Sequence, residues 1–152
     1  MIQRKQTLFL LLAVVAAIAC LCLPLGEFAT GSTLGGKAVM YNLWIANPDG
    51  THDFSVWALF AILLITCPIS LVAIFSYKNR MAQSRFCMFN ILLSLGWYVV
   101  FAVMALNAKD ATGGFSISAT SALPAVSMIL HFMARKAILA DEALVRSADR
   151  IR

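Results

Sequence analysis

The sequence predicts an all-α membrane protein. We expect a bundle of four transmembrane helices that forms a single membrane domain over residues 1–152, with both termini in the cytoplasm. The composition is 61% hydrophobic and 12% charged with a mean hydropathy of +0.85, whereas a soluble domain is about half apolar and about a quarter charged. Four apolar runs of 19 to 23 residues contain no Asp, Glu, Lys or Arg, and basic residues cluster in alternate connections.

Each apolar run is long enough to cross a bilayer. At ~1.5 Å per residue, 20 residues of helix span about 30 Å, the thickness of a hydrocarbon core. Because lipid offers no hydrogen bonds to the backbone, each run is expected to be helical. The first run could instead be a cleaved signal peptide, but it exceeds the usual length of about 7–15 apolar residues and no A-x-A site follows it. The predicted spans are Thr7–Leu25, Ser55–Tyr77, Phe86–Leu106 and Phe115–Met133.

The distribution of basic residues predicts the orientation. Ten Lys and Arg residues fall on the side of the termini and two on the opposite side, the asymmetry typical of cytoplasmic and outer loops. The sequence pI of about 9.3 is therefore interpreted as a consequence of topology, and no nucleic-acid partner is expected. The ten are Arg4, Lys5, Lys78, Arg80, Arg85, Arg135, Lys136, Arg146, Arg150 and Arg152; the two are Lys37 and Lys109.

The one sizeable connection is the outer loop of residues 26–54. Gly35-Gly36 and Asn47–Gly50 are turn signals, and Ala38–Ala46 between them is rich in β-formers. We expect a small β-hairpin or a three-stranded meander at the membrane surface.

A series of polar residues, here called the polar seam, is predicted between the third and fourth helices. Three of its residues recur every four positions in the third helix, and four others share one face of the fourth. If the loop 107–114 joins the helices as an antiparallel hairpin, residues at equal depth have numbers that sum to about 221. Asn90 is then expected opposite His131, and Ser94 opposite Ser127, with Ser70 of the second helix near Ser94. The polar seam comprises Asn90, Ser94, Tyr98, Ser116, Thr120, Ser127 and His131.

Two interpretations of the polar seam remain open. It could hold the bundle together, because polar side chains in membranes pair with one another across helices. It could instead be a polar path or a lipid-headgroup site that opens to the cytoplasm beside Asn90 and His131.

No catalytic, cofactor-binding or metal-binding residues are predicted, since the spans lack charged groups and metal-ligand spacing, and the four cysteines are interpreted as small buried hydrophobic residues. We therefore expect a non-enzymatic accessory or scaffold subunit of a membrane complex. The alternative is an oligomeric conduit or binder for a lipid or small molecule along the seam, and an enzyme is the third hypothesis.

The tail, residues 134–152, continues the fourth helix without a helix breaker. Its apolar stripe is narrow and rich in alanine, and Glu142 precedes Arg146 by four residues, the favourable order for a helical ion pair. The tail is expected either to lie against anionic lipids of the inner leaflet or to bind another membrane protein. The candidate docking residues are Leu144, Val145, Arg146, Asp149 and Arg150.

Both ends of the chain resemble a known family. Residues 1–7 (MIQRKQT) followed by a Leu-rich helix and residues 24–28 (PLGEF), together with residues 141–152 (DEALVRSADRIR), are similar to a small four-helix membrane family of Bacteroidetes. The resemblance extends over the whole chain. It implies four spans and a multi-pass protein of the bacterial inner membrane. Because that family is a domain of unknown function, it implies no reaction, cofactor or site residue.

Overall fold

The computed structural model describes residues 2–29, 36–77, 79–112 and 114–149. The chain forms long helices and one small sheet. The helices are α1 (Ile2–Cys22), α2 (Trp57–Phe75), α3 (Arg80–Thr112) and α4 (Leu123–Asp149), with a short 3₁₀ helix at Ala119–Ala122. The strands are β1 (Gly26–Ala29), β2 (Lys37–Met40), β3 (Ile45–Ala46), β4 (His52–Asp53) and β5 (Phe115–Ile117).

The four helices form an antiparallel bundle. Helix α1 packs against α2 and α4, and α3 packs against the same two helices, so α1 and α3 lie on one diagonal and α2 and α4 on the other. The sheet follows α1 and precedes α2, and β5 lies between α3 and α4. One end of the bundle therefore carries the sheet and the other carries residues 2 and 149. We call these the sheet end and the terminal end.

Within the described residues, the four helices are long and apolar enough to cross a membrane. Large apolar side chains point outward along them, including Leu12 at 45% exposure, Leu95 at 54% and Val99 at 61%. Such an outer surface is costly in water and is what a helix presents to lipid. The class predicted from composition, a four-helix bundle suited to a membrane, is therefore present.

The fourth predicted span, Phe115–Met133, is wrong over residues 115–118; the stretch that is long and apolar enough to cross a membrane is Ala119–Ala148, and its first turn is the 3₁₀ helix. Phe115 to Ile117 pair with Phe28 to Gly26 as an antiparallel strand, and Ser118 is extended, so α4 begins only at Leu123. Pro124 then lies in the first turn of α4, where the missing N–H costs no helical hydrogen bond.

The sheet is larger than the predicted hairpin or meander. Its order is β4-β3-β2-β1-β5, with every pair antiparallel. The expected strand Ala38–Ala46 is two strands separated by a turn, in which the Tyr41 N–H donates to the Trp44 carbonyl at 2.9 Å. Gly26 is required where β1 meets β5, because a Cβ there would come within 2.8 Å of the Ser116 carbonyl oxygen.

A buried polar contact joins the sheet end to the bundle. Asn42 follows β2 and is fully buried; its amide donates to the Cys20 carbonyl at 2.6 Å and accepts from the Trp97 indole N–H at 3.1 Å. Thr120 adds a second link by donating to the Pro24 carbonyl. The sheet is thereby fastened to α1 and α3.

Candidate functional site

The candidate site is the central part of the polar seam, where side chains from α2, α3 and α4 meet on the bundle axis. The Asn90 amide nitrogen donates to Ser70 Oγ at 2.7 Å and lies 3.1 Å from His131 Nε2. Ser70 Oγ lies 3.0 Å from the same nitrogen. All three residues are buried, at 2% exposure or less. The predicted pairing of Asn90 with His131 is therefore present.

The second ring nitrogen of His131 connects the seam to α1. His131 Nδ1 lies 2.8 Å from the Ser127 carbonyl, which is only an acceptor, so Nδ1 carries the proton of the neutral ring. Nε2 is then the acceptor for the Asn90 amide. The Ser127 hydroxyl donates to the Ala13 carbonyl at 3.2 Å. Hydrogen bonds of this one network thus reach all four helices and cross the diagonal between α2 and α4.

The depth relation predicted from the α3–α4 hairpin agrees with several contacts. Asn90 and His131 have numbers that sum to 221, as do Arg80 and Asp141, whose Nη2 and Oδ2 atoms lie 3.3 Å apart. The Tyr98 hydroxyl donates to the Ser121 carbonyl at 2.8 Å and accepts from the Ala125 N–H at 2.9 Å.

Two seam residues, and Ser70 beside the seam, lie elsewhere than predicted. Ser116 is in β5 and Thr120 in the 3₁₀ helix, so neither is on α4. Ser70 lies in the layer of Asn90, one helical turn from its expected level at Ser94. Helix α3 begins at Arg80, earlier than the predicted start of the third span at Phe86, and this displaces the register between α2 and α3 toward lower residue numbers.

Ser94 and Ser127 are both buried, but their hydroxyls bond to backbone. Ser94 donates to the Asn90 carbonyl at 2.8 Å, and Ser127 donates to α1. At this layer the hydroxyl groups of the seam donate hydrogen bonds to backbone carbonyls. Among the described residues, Ser94 and Ser127 do not form a side-chain hydrogen bond with each other.

Apolar clusters bracket the hydrogen-bonded network along the bundle axis. The sheet-end cluster is centred on Trp97, Leu59 and Leu63, and the terminal-end cluster consists of Leu10, Ala73, Cys87, Ala134 and Ile138. These apolar layers separate the His131 network from both ends of the bundle. The arrangement favours the first interpretation of the seam, in which it holds the helices together.

One polar atom of the network has no partner among the described residues. Asn90 is fully buried, and its Oδ1 atom accepts no hydrogen bond from them. A buried acceptor without a partner costs free energy, roughly 1–3 kcal/mol.

At the terminal end, α4 stays in the bundle longer than predicted for the tail. Ala134 and Ile138 are fully buried, and Asp141 forms its ion pair with Arg80. The helix leaves the bundle after this point and continues to Asp149, with Leu144 at 59% and Val145 at 41% exposure. The predicted ion pair between Arg146 and Glu142 is present at 3.1 Å, and Arg150 lies outside the described residues.

Several buried polar residues were missed by the sequence reasoning. Gln6 in α1 and Gln83 and Ser84 in α3 are at most 6% exposed, near the terminal end. Gln6 is four residues before Leu10 and seven before Ala13, so the helical period already placed it on the buried face. Cys22, in contrast, is exposed and not buried as expected.

The described residues contain no group of three or more His, Cys, Asp and Glu side chains that could hold a metal ion. With four helices that are long and apolar enough to cross a membrane, packed around a buried polar network, the described residues have the fold of a four-helix bundle. Residues 2–151 match the family described as Domain of unknown function (DUF4293), and the chain belongs to that family. No curated protein matches it.

Proposed function

We propose that this chain is a non-enzymatic accessory subunit of the bacterial inner membrane, a rigid four-span scaffold that binds other membrane proteins. The observation that carries the proposal is the closure of the polar seam. Its polar groups form hydrogen bonds mainly with one another and with backbone carbonyls, and they lie between two apolar clusters. Such a network makes a bundle rigid and leaves its outer surfaces for recognition.

The proposed topology has both termini in the cytoplasm and the sheet outside. It rests on the ten basic residues of the terminal side against two on the other. Single cysteines at Asp49 and at Ser147, in a variant that lacks the four native cysteines, test it. A membrane-impermeant maleimide added to spheroplasts should label D49C only. Gly36 is unsuitable for this purpose because a side chain there would collide with Pro48. Labelling of S147C from outside would exclude the proposed orientation.

The proposed binding surface is the free end of α4, from Glu142 to Asp149. Leu144 is 59% exposed there, three residues after the ion pair of Asp141 with Arg80. A photo-crosslinking amino acid at position 144 should give one discrete protein adduct in intact membranes. The matched control is position 146, about 200° around the same helix, which should give little of that adduct. Equal adducts at both positions, or lipid adducts alone, would argue against a scaffold that binds through this face.

A conduit along the seam is the second candidate function. The unpartnered Asn90 Oδ1 favours it, since a permeating or bound polar molecule would supply the missing donor. Liposome flux of small polar solutes through the purified protein, lost in the variant N90L/S94L, would replace the scaffold proposal with this one. Absence of flux above that of empty liposomes would reject it.

A further inference from the structure

In the part of the chain that the structure describes, two buried hydrogen-bond donors near the terminal end lack partners. They are Nε2 of Gln6 in α1, a residue only 3% exposed, and Nε of Arg135 in α4. Both atoms can only donate, so each requires an acceptor. A buried donor without an acceptor is costly, and more so when it is part of a charged group.

The two donors lie at the same depth in the bundle. The hydrogen bond from Ser127 to the Ala13 carbonyl sets the register of α4 against α1. Gln6 is seven residues from Ala13 along α1, and Arg135 is eight residues from Ser127 along α4. Both steps run toward the terminal end and cover about 11 Å, so the two residues lie at the same level. This level also carries Lys5 and Lys136 and is about one turn beyond His131.

The acidic residues of this side do not neutralise Arg135. Asp141 is paired with Arg80 and Glu142 with Arg146. The third acid, Asp149, is fourteen residues further along α4, so its position on the helix is roughly 21 Å from that of Arg135. Among the described side chains, the guanidinium of Arg135 therefore has no carboxylate partner.

We propose that Gln6 and Arg135 form a binding site for a phosphate-bearing anion at the terminal end of the bundle. A phosphate group offers several acceptor oxygens, which suits a guanidinium and a neighbouring amide donor. The basic residues of the terminal side lie near one end of the bundle. In a bundle of this length, that end is at the level of the phospholipid headgroups. An anionic phospholipid and a free phosphate ion share this chemistry, and the site is separate from the proposed scaffold surface on the free end of α4.

Three probes separate the sources of the anion. The purified full-length protein in a neutral detergent is titrated with dihexanoyl phosphatidylglycerol, with dihexanoylglycerol, which has the chains without the phosphate, and with inorganic phosphate. Thermal unfolding reports binding. We expect a saturable rise in Tm with phosphatidylglycerol and none with dihexanoylglycerol. A similar rise with inorganic phosphate would assign the site to the free ion; its absence would assign it to the lipid.

Variants test the two residues directly. R135Q should weaken the apparent affinity about tenfold, through loss of a charge-assisted hydrogen bond. R135K, which keeps the charge but lacks Nε, should show a smaller loss and serves if R135Q does not fold. Q6L should also weaken binding, while its Tm without the probe should equal or exceed that of the parent because it removes a buried donor.

The matched control is K136Q, which removes an exposed positive charge from the next position. It should leave the affinity unchanged. An equal loss in K136Q and R135Q would show that surface charge alone attracts the anion and would overturn the site. A rise in Tm with dihexanoylglycerol as large as with phosphatidylglycerol, or no rise with any probe, would do the same.

Discussion

The hydrogen bond between Asn90 and His131 should be measurable as a coupling free energy. We expect N90L and H131L, made singly and together, to be non-additive in the free energy of unfolding. Asn90 donates to both Ser70 and His131, so N90L removes two hydrogen bonds. Interhelical hydrogen bonds in membranes contribute on average ~0.6 kcal/mol each, with a maximum near 1.7.

The single substitution alone is a poor measure of this bond. N90L also removes the buried Oδ1 that has no partner, which returns roughly 1 kcal/mol of desolvation cost. The two effects nearly cancel, so we expect the net destabilisation by N90L to be under about 1 kcal/mol. The coupling with His131 excludes the Oδ1 contribution, because that atom is lost equally in the single and double variants. We expect the coupling to be about 0.6–1 kcal/mol.

Reversible unfolding in mixed micelles with increasing denaturing detergent would give the four free energies of the cycle. A matched cycle uses S94A with H131L, because the Ser94 hydroxyl is buried one turn away but donates to the backbone of its own helix. That cycle should couple by ~0.2 kcal/mol or less. V99L, on the outward face of α3, should leave the stability unchanged. Equal coupling in the two cycles would refute the assignment of a hydrogen bond between Asn90 and His131.

Three further predictions concern other contacts. Solid-state or solution ¹⁵N NMR of His131 should detect the tautomer with the proton on Nδ1, because that nitrogen faces the Ser127 carbonyl; a proton on Nε2 would contradict the network. N42A should destabilise the protein by about 1–3 kcal/mol, because it leaves the Trp97 indole N–H without a partner. The same unfolding assay measures this loss of stability, and a loss smaller than that of W97F would contradict the prediction. R80Q should lower the free energy of unfolding by about 1–2 kcal/mol, since the ion pair of Arg80 with Asp141 is largely buried. R146Q should lower it by at most about 0.5 kcal/mol, since the guanidinium of Arg146 is exposed. Equal losses would show that burial does not set the strength of these ion pairs.

The parts of the fold that were predictable are those governed by local periodicity. The recurrence of Asn90, Ser94 and Tyr98 every four residues places them on one face whatever the surroundings, because the helix period is 3.6 residues. The predicted hairpin relates α3 to α4 by a single number. The pairs Asn90 with His131 and Arg80 with Asp141 agree with that number, although the connection between the helices is longer than predicted and contains β5 and the 3₁₀ helix.

The remaining parts depend on contacts between distant segments. Phe115 to Ile117 become a strand because β1, almost ninety residues earlier, presents an edge to them, and no periodicity within 115–133 reports that partner. Thr120 is held in the 3₁₀ helix by a bond to the Pro24 carbonyl, again from a distant segment. The short strands β3 and β4 have two residues each, too few for a pattern of alternation.

The polar seam also explains why the four apolar helices pack in a single register. Within lipid, helices gain little from burying leucine against leucine, because the solvent is itself hydrocarbon. The apolar layers on either side of the seam would therefore tolerate a shift of α4 along α1 or α3. A shift by one turn would break the bonds of His131 to Asn90 and of Ser127 to Ala13 together, and it would leave their polar groups facing apolar side chains. The seam thus sets the register of all four helices, and with it the position at which α4 leaves the bundle and exposes Leu144.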